Sequence, residues 1–195
     1  MSKAEQTRST ILEKAFRLIY ERGFQATSID QIIATVQVTK GAFFYHFKNK
    51  EEMGIAMIKE QMRTVFREVL MKFLYESNDP RHDIYQMIQY LLLEDPFFDC
   101  RFGCPAVNLI EEMSPINETF SRELKTNILE WQAMIESSVE KGKSAGKIRQ
   151  DVNPKNVSYT ITSGYAGVRN MGKILGKKSY HTHLEELKTY LNNLT

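Results

Sequence analysis

Between Thr27 and Lys50 the chain reads TSIDQIIATVQVTKGAFFYHFKNK. Hydroxyls, an imidazole, a phenol and lysines crowd this stretch, and they are binding groups rather than reacting ones. Thr39 and Lys40 stand where a helix would begin, able to approach phosphates and base edges. Gly41 and Ala42 keep that end slim, so the backbone can come close to a duplex. Tyr45, His46 and Lys50 offer donors spaced to reach the flanking backbone. Thr27 and Ser28 open an earlier helix, where hydroxyls and free backbone N–H groups favour a phosphate. The chemistry on offer is the gripping of DNA.

Catalysis has no comparable support. Neither H-E-x-x-H nor G-x-S-x-G occurs, and Glu111–Glu112 reads as a solvated helix edge. Gly142–Lys143–Ser144 looks like the end of a P-loop, but Ser137 stands where the first glycine belongs and the segment leaves a helix. Cys100 and Cys104 lack the further ligands a structural zinc needs and are expected to be free thiols. No metal, cofactor or enzymatic activity is expected.

The elements that must position the donors are helices. Strand signals are nearly absent, while 3.6-residue periodicity and helix punctuation recur throughout. Ile11, Leu12, Ala15, Phe16 and Ile19 stripe a first helix from about Gln6 to Arg22. Ser28 and Gln31 form a capping box before a short helix with Ile29, Ile32, Ile33 and Val36 inward. After a break at Gln37–Val38, a second short helix spans about Thr39 to Phe47, with Phe43 and Phe47 in the core. Two short helices joined by a tight break match a helix-turn-helix, whose second helix enters the major groove. Asn49 and Glu52 make another capping box opening a long helix to about Tyr75. Asp79–Pro80, Pro105, Asn117, Asn153–Pro154 and Tyr180 begin five more. The fold class is all-α with about nine helices: a DNA-binding domain over residues 1–48 and a larger helical domain over 49–195. The long helix is expected to be the only element passing from one to the other.

These residues resemble the TetR/AcrR family of bacterial transcriptional regulators. Thr27, Ile32, Val38, Thr39, Lys40, Gly41, His46, Phe47 and Lys50 fall in register on the family's DNA-binding pattern. Gln37 departs from it, since a glycine usually makes that turn; a side chain there costs about 1 kcal/mol if φ is positive. Phe44 replaces a frequent tyrosine whose hydroxyl commonly contacts phosphate, so Phe44 falls on a DNA-binding position without that donor. The resemblance implies a homodimeric regulator, a repressor on a palindromic operator released by a small-molecule effector. A helical small-molecule-binding protein or enzyme without a DNA role, and a DNA-binding activator, are the alternatives.

The resemblance also places a ligand pocket and a dimer interface in the larger domain. Leu184, Leu187, Leu191 and Leu194 form a narrow stripe suited to packing along a partner helix. Gly164 and Gly167 on the preceding helix allow close backbone approach, and the two helices are expected to form the interface. Phe66, Tyr85, Asn108, Trp131, Tyr159 and Ser163 are polar or aromatic residues on otherwise apolar helices. They are the expected lining for an apolar or aromatic effector with one or two polar handles.

Composition agrees with this reading. Of 195 residues, 42% are hydrophobic and 26% charged, the balance of a chain that buries a core without staples. Residues 1–50 hold 8 Lys/Arg against 4 Asp/Glu, and residues 51–195 hold 18 against 20, so the basic excess lies where phosphates would be bound. No apolar run approaches the ~20 residues of a membrane span. Met1 to Thr10 has no apolar signal core, so a cytoplasmic address without membrane partners is expected.

Overall fold

Short polar side chains start most of the helices. Ser2 and Glu5 bond each other's backbone N–H groups and open α1 (Lys3–Arg22), three residues before the predicted start. Ser28 and Gln31 do the same for α2 (Ile29–Val36), as their spacing predicts. Thr39 caps α3 (Lys40–His46) by accepting from the Ala42 N–H at 3.1 Å. Asn49 accepts from the Glu52 N–H at 2.8 Å to open α4 (residues 50–74), but the Glu52 carboxylate turns instead to the Lys48 N–H at 2.9 Å. Such caps contribute about 1 kcal/mol each.

The computed structural model describes residues 2–75 and 79–195, and the described residues form nine helices and no strand. After α4 (residues 50–74) come α5 (residues 80–94), α6 (Pro105–Met113), α7 (Glu118–Ser144), α8 (Pro154–Leu175) and α9 (Lys178–Asn192). Two helices carry a widened π turn, Ile58–Met62 in α4 and Tyr90–Glu94 at the end of α5.

Packing divides the chain into two units, and not at residue 48. The first holds residues 2–65 and 108–125; the second holds 66–107 and 126–195. In the first unit, Ile11, Leu12 and Ala15 of α1 are fully buried, with Ile32, Phe43, Met53, Met57, Ile58 and Phe120. Gly54 is required here: a Cβ would lie 2.5 Å from the Phe24 ring and 2.7 Å from Phe120, whose rings meet edge to face at 4.9 Å. The α4 π turn carries Lys59 and Glu60. Lys59 and Arg63 both pair with Glu123 of α7, at 3.2 and 3.1 Å, and Glu60 takes the Arg8 guanidinium of α1. Burial alone would raise the Glu123 carboxyl, but its bonds to Lys59 and Arg63 hold it below the usual glutamate range. The chain passes between units at 65/66, 107/108 and 125/126, so the expectation that α4 alone makes this passage is corrected.

The second unit surrounds Met87, Ile88, Ile135, Val139, Tyr165 and Tyr180. Arg169 is completely buried in it, its guanidinium 4.4 Å from the centre of the Phe98 ring and flanked by Tyr165 and Tyr180. Cys100 donates to the Gly172 carbonyl at 3.1 Å, and both cysteines are free and buried. Burial pushes the Tyr180 hydroxyl well above the ordinary tyrosine value, and its bond with Cys100 adds to this against the opposing pull of Arg169.

Candidate nucleic-acid interface

Three apolar side chains hold the reading helix. Phe43 is fully buried and Phe47 nearly so, their rings 5.6 Å apart, as their positions predict. The Arg8 guanidinium lies 4.9 Å from the Phe47 ring, tying the end of α3 to α1. On α2, Ile32 is fully buried while Ile29, Ile33 and Val36 are half-buried. Between the helices Gln37 adopts φ 59° and ψ 38°, the only positive φ at a non-glycine among the described residues. The turn expected at this position is therefore left-handed and made with a side chain present.

This framework leaves one edge of α3 in the open. Thr39, Lys40, Gly41, Phe44 and Tyr45 are all exposed, Tyr45 to 78%. Tyr45 packs edge to face on the half-buried His46 at 4.9 Å, which steadies its hydroxyl. Phe44 leans on Phe43 in the same way, at 5.4 Å. Lys40 pairs with Asp30 across the turn at 3.1 Å, but both are well exposed and the pair is readily exchanged for a phosphate. Ser28 is exposed; its oxygen accepts from Gln31, which leaves its own O–H free to donate.

Two of the expected DNA contacts are corrected. Thr27 is fully buried and its hydroxyl donates to the Gly23 carbonyl at 2.7 Å. Lys50 turns inward: its ammonium donates to the carbonyls of Phe24 and Thr27, each at 3.0 Å, and lies 4.6 Å from the Phe24 ring. Both side chains build the loop between α1 and α2 and are spent there. Sequence reasoning missed Glu112, whose carboxylate accepts the N–H groups of Phe24 and Gln25. No local signal marks it, because the partners lie 88 and 87 residues away.

Comparison with known proteins decides the family. Residues 11–57 match the model described as bacterial regulatory proteins, tetR family. Residues 88–187 match the tetracyclin repressor-like C-terminal domain. The chain belongs to the TetR family. It is 24% identical over 160 residues to the HTH-type transcriptional repressor DhaR of Mycobacterium sp. (strain GP1), covering 82% of this chain and 79% of DhaR. It is 29% identical over 119 residues to an HTH-type transcriptional regulator of Lactococcus lactis, covering 61% of each. A TetR regulator from Chloroflexus aurantiacus superposes with a TM-score of 0.89 at 24% identity, over 98% of this chain and 97% of that one. TetR-family proteins bind DNA and regulate transcription without catalysis, and their C-terminal domains serve dimerisation and ligand binding. No described helix is long and apolar enough to cross a membrane.

In the second unit the predicted residues separate. Trp131 meets both Phe66 and Tyr165 edge to face, each at 5.1 Å. The Trp131 indole N–H is buried without a hydrogen-bond acceptor among the described residues. Tyr85 lies instead at a surface hollow of about 240 Å³ with Arg81, His82 and Lys188. Asn108 packs with the first unit. Tyr159 and Ser163 are corrected, because α8 turns both to its exposed face.

The expected interface leucines are also corrected. Leu184, Leu187, Leu191 and Leu194 are 4%, 6%, 1% and 7% exposed, so they have no area left for a partner. Their stripe packs α9 against α8 and α5 of its own chain. Gly164 is occupied similarly: a Cβ there would lie 3.0 Å from the half-buried His183 ring. Desolvation holds that imidazole below its usual pKa. Gly167 has nothing within 4 Å of its missing Cβ. It continues an outward stripe of α8 with Tyr159, Ser163, Met171 and Ile174, and Ile174 is 88% exposed.

Proposed function

We propose that this regulator is a repressor: a homodimer that grips a palindromic operator with α3 and lets go when a small molecule occupies its second unit. The open edge of α3, carrying Thr39, Lys40, Gly41, Phe44 and Tyr45 on a buried phenylalanine framework, carries the reading. It combines phosphate donors with an apolar surface suited to base edges and thymine methyl groups. Ser28 and His46 lie at its margins. The relatives named as repressors, DhaR and NemR of Escherichia coli, support the direction of control. Its place of action is the cytoplasm, where its DNA is.

The dimer forms through the outward stripe of α8, where Tyr159, Gly167, Met171 and Ile174 share one exposed helix face and leave an apolar ridge. The effector binds beside Trp131. A buried indole N–H without an acceptor is costly, and a ligand carbonyl, ether or carboxylate would satisfy it. Phe66 and Tyr165 supply aromatic walls, so the ligand class is apolar or aromatic with one acceptor.

Reciprocity supplies the experiment. If an effector weakens DNA binding, DNA must weaken effector binding by the same factor, typically 5–150-fold, on the order of 1–3 kcal/mol. Trp131 is the chain's only tryptophan, so its emission follows the site. Aromatic compounds bearing one acceptor are titrated with and without duplex from the gene's upstream region. A releasing compound that binds equally tightly in both titrations contradicts the coupling.

A further inference from the structure

The loop from Gly23 to Thr27, which launches α2, is held by opposite charges on its opposite polar sides. Glu112, near the end of α6, accepts the N–H of Phe24 at 2.8 Å and of Gln25 at 2.7 Å with its two carboxylate oxygens. Lys50, at the start of α4, donates to the carbonyls of Phe24 and Thr27 at 3.0 Å and of Gln25 at 3.4 Å. The peptide group between Phe24 and Gln25 thus has its N–H taken by an anion and its carbonyl by a cation. Gly23, at φ 91°, lets the carboxylate in, since a Cβ there would lie 3.3 Å from the Glu112 oxygen. Ser28, the cap of α2, is the next residue after the gripped segment.

We propose that Glu112 is a positioning residue for DNA reading: it fixes the loop that sets where α2, and with it α3, stands against the duplex. One hydrogen bond at the Gln25 N–H would leave the neighbouring peptide free to turn, whereas one carboxylate accepting from two successive N–H groups orients both. Specific readout needs α3 held to about 0.5 Å, while non-specific binding needs only positive charge near phosphates. Loss of the carboxylate therefore lowers affinity for the selected site and spares non-specific affinity. Glu112 and the loop it holds lie in the same packed unit, residues 2–65 with 108–125.

The test compares Glu112→Gln and Glu112→Ala with Glu13→Gln, which removes the same charge from the exposed face of α1. Gln keeps one acceptor and the side chain's shape; Ala removes both acceptors. Each full-length variant is measured for amide exchange at Phe24 and Gln25, for thermal unfolding, and for binding to two duplexes: one selected by the wild-type protein from random-sequence DNA, and one scrambled. The expected result is faster exchange at both amides in Ala and at one in Gln. Affinity for the selected duplex falls about tenfold in Gln and further in Ala, at unchanged affinity for the scrambled duplex. Glu13→Gln behaves as wild type. Wild-type exchange and wild-type selectivity in Glu112→Ala would overturn the proposal. So would a parallel fall in both affinities together with the melting temperature, the mark of a merely structural role. The exchange arm is read without DNA, so failure of the clamp is distinct from failure to find a bound duplex.

Discussion

Lys40 and Lys50 belong to the same short motif and do opposite jobs. Lys40 is exposed and its pair with Asp30 is weak, while Lys50 is committed to three backbone carbonyls. Replacing Lys40 with Met should lower the salt slope of DNA binding by about 2 per dimer, because one phosphate contact is lost from each subunit. Lys50→Met should leave the slope unchanged and instead cost about 1–3 kcal/mol of stability, read from urea unfolding. A second residue-scale test concerns Glu123. Its pKa is depressed in the fold by Lys59 and Arg63 despite burial, so its contribution is present above the ordinary glutamate value of 4.5 and is lost as pH falls through the lower folded value. Glu123→Gln should therefore be less stable than wild type at pH 7, and the gap should close on acidification below pH 4.5; a gap that stays constant would contradict this. The register of the motif was legible in the sequence at Phe43, Phe47 and Thr39, where local periodicity and capping decide. It was not legible at Lys50 or Glu112, because which way a long charged side chain turns depends on carbonyls and N–H groups brought close only by folding.

At the scale of elements, periodicity and caps marked the nine helices of the described chain, while the corner at Gln37 was marked by the glycine that the family usually has there. Gln37→Gly should raise stability by up to about 1 kcal/mol, and Gln37→Ile should lower it, since a β-branched side chain tolerates positive φ poorly. Both are read from urea midpoints. The leucine stripe of α9 shows where periodicity stops informing. A narrow 3-4-3 stripe says that one face is buried, but the same pattern serves a partner subunit or a neighbouring helix of the same chain. Here α8 and α5 of the same chain take it. The partner-facing surface assigned to α8 is weaker in sequence, because Ser163 and Gly167 dilute its apolar run. The two readings predict different phenotypes. Leu187→Asp should unfold the second unit, because a charge is buried, whereas Ile174→Asp should leave a folded monomer. Sedimentation with far-ultraviolet circular dichroism separates them: a folded Leu187→Asp protein or a dimeric Ile174→Asp protein would contradict the assignment.

As proposed, the whole molecule acts as a dimer that presents two copies of α3 to one duplex. Successive half-sites on one face lie one helical turn, roughly 34–36 Å, apart, so neither copy alone reads an operator tightly. If each subunit neutralises about four phosphates, the plot of log affinity against log salt should have a slope near −7. The most direct test is therefore the affinity of the wild-type protein for duplex from its own upstream region, measured across a salt series beside a scrambled duplex. The account predicts a slope near −7 and an affinity for the upstream duplex on the order of 10³-fold or more above the scrambled one. A slope near zero, or equal affinity for the two duplexes at every salt concentration, would contradict it.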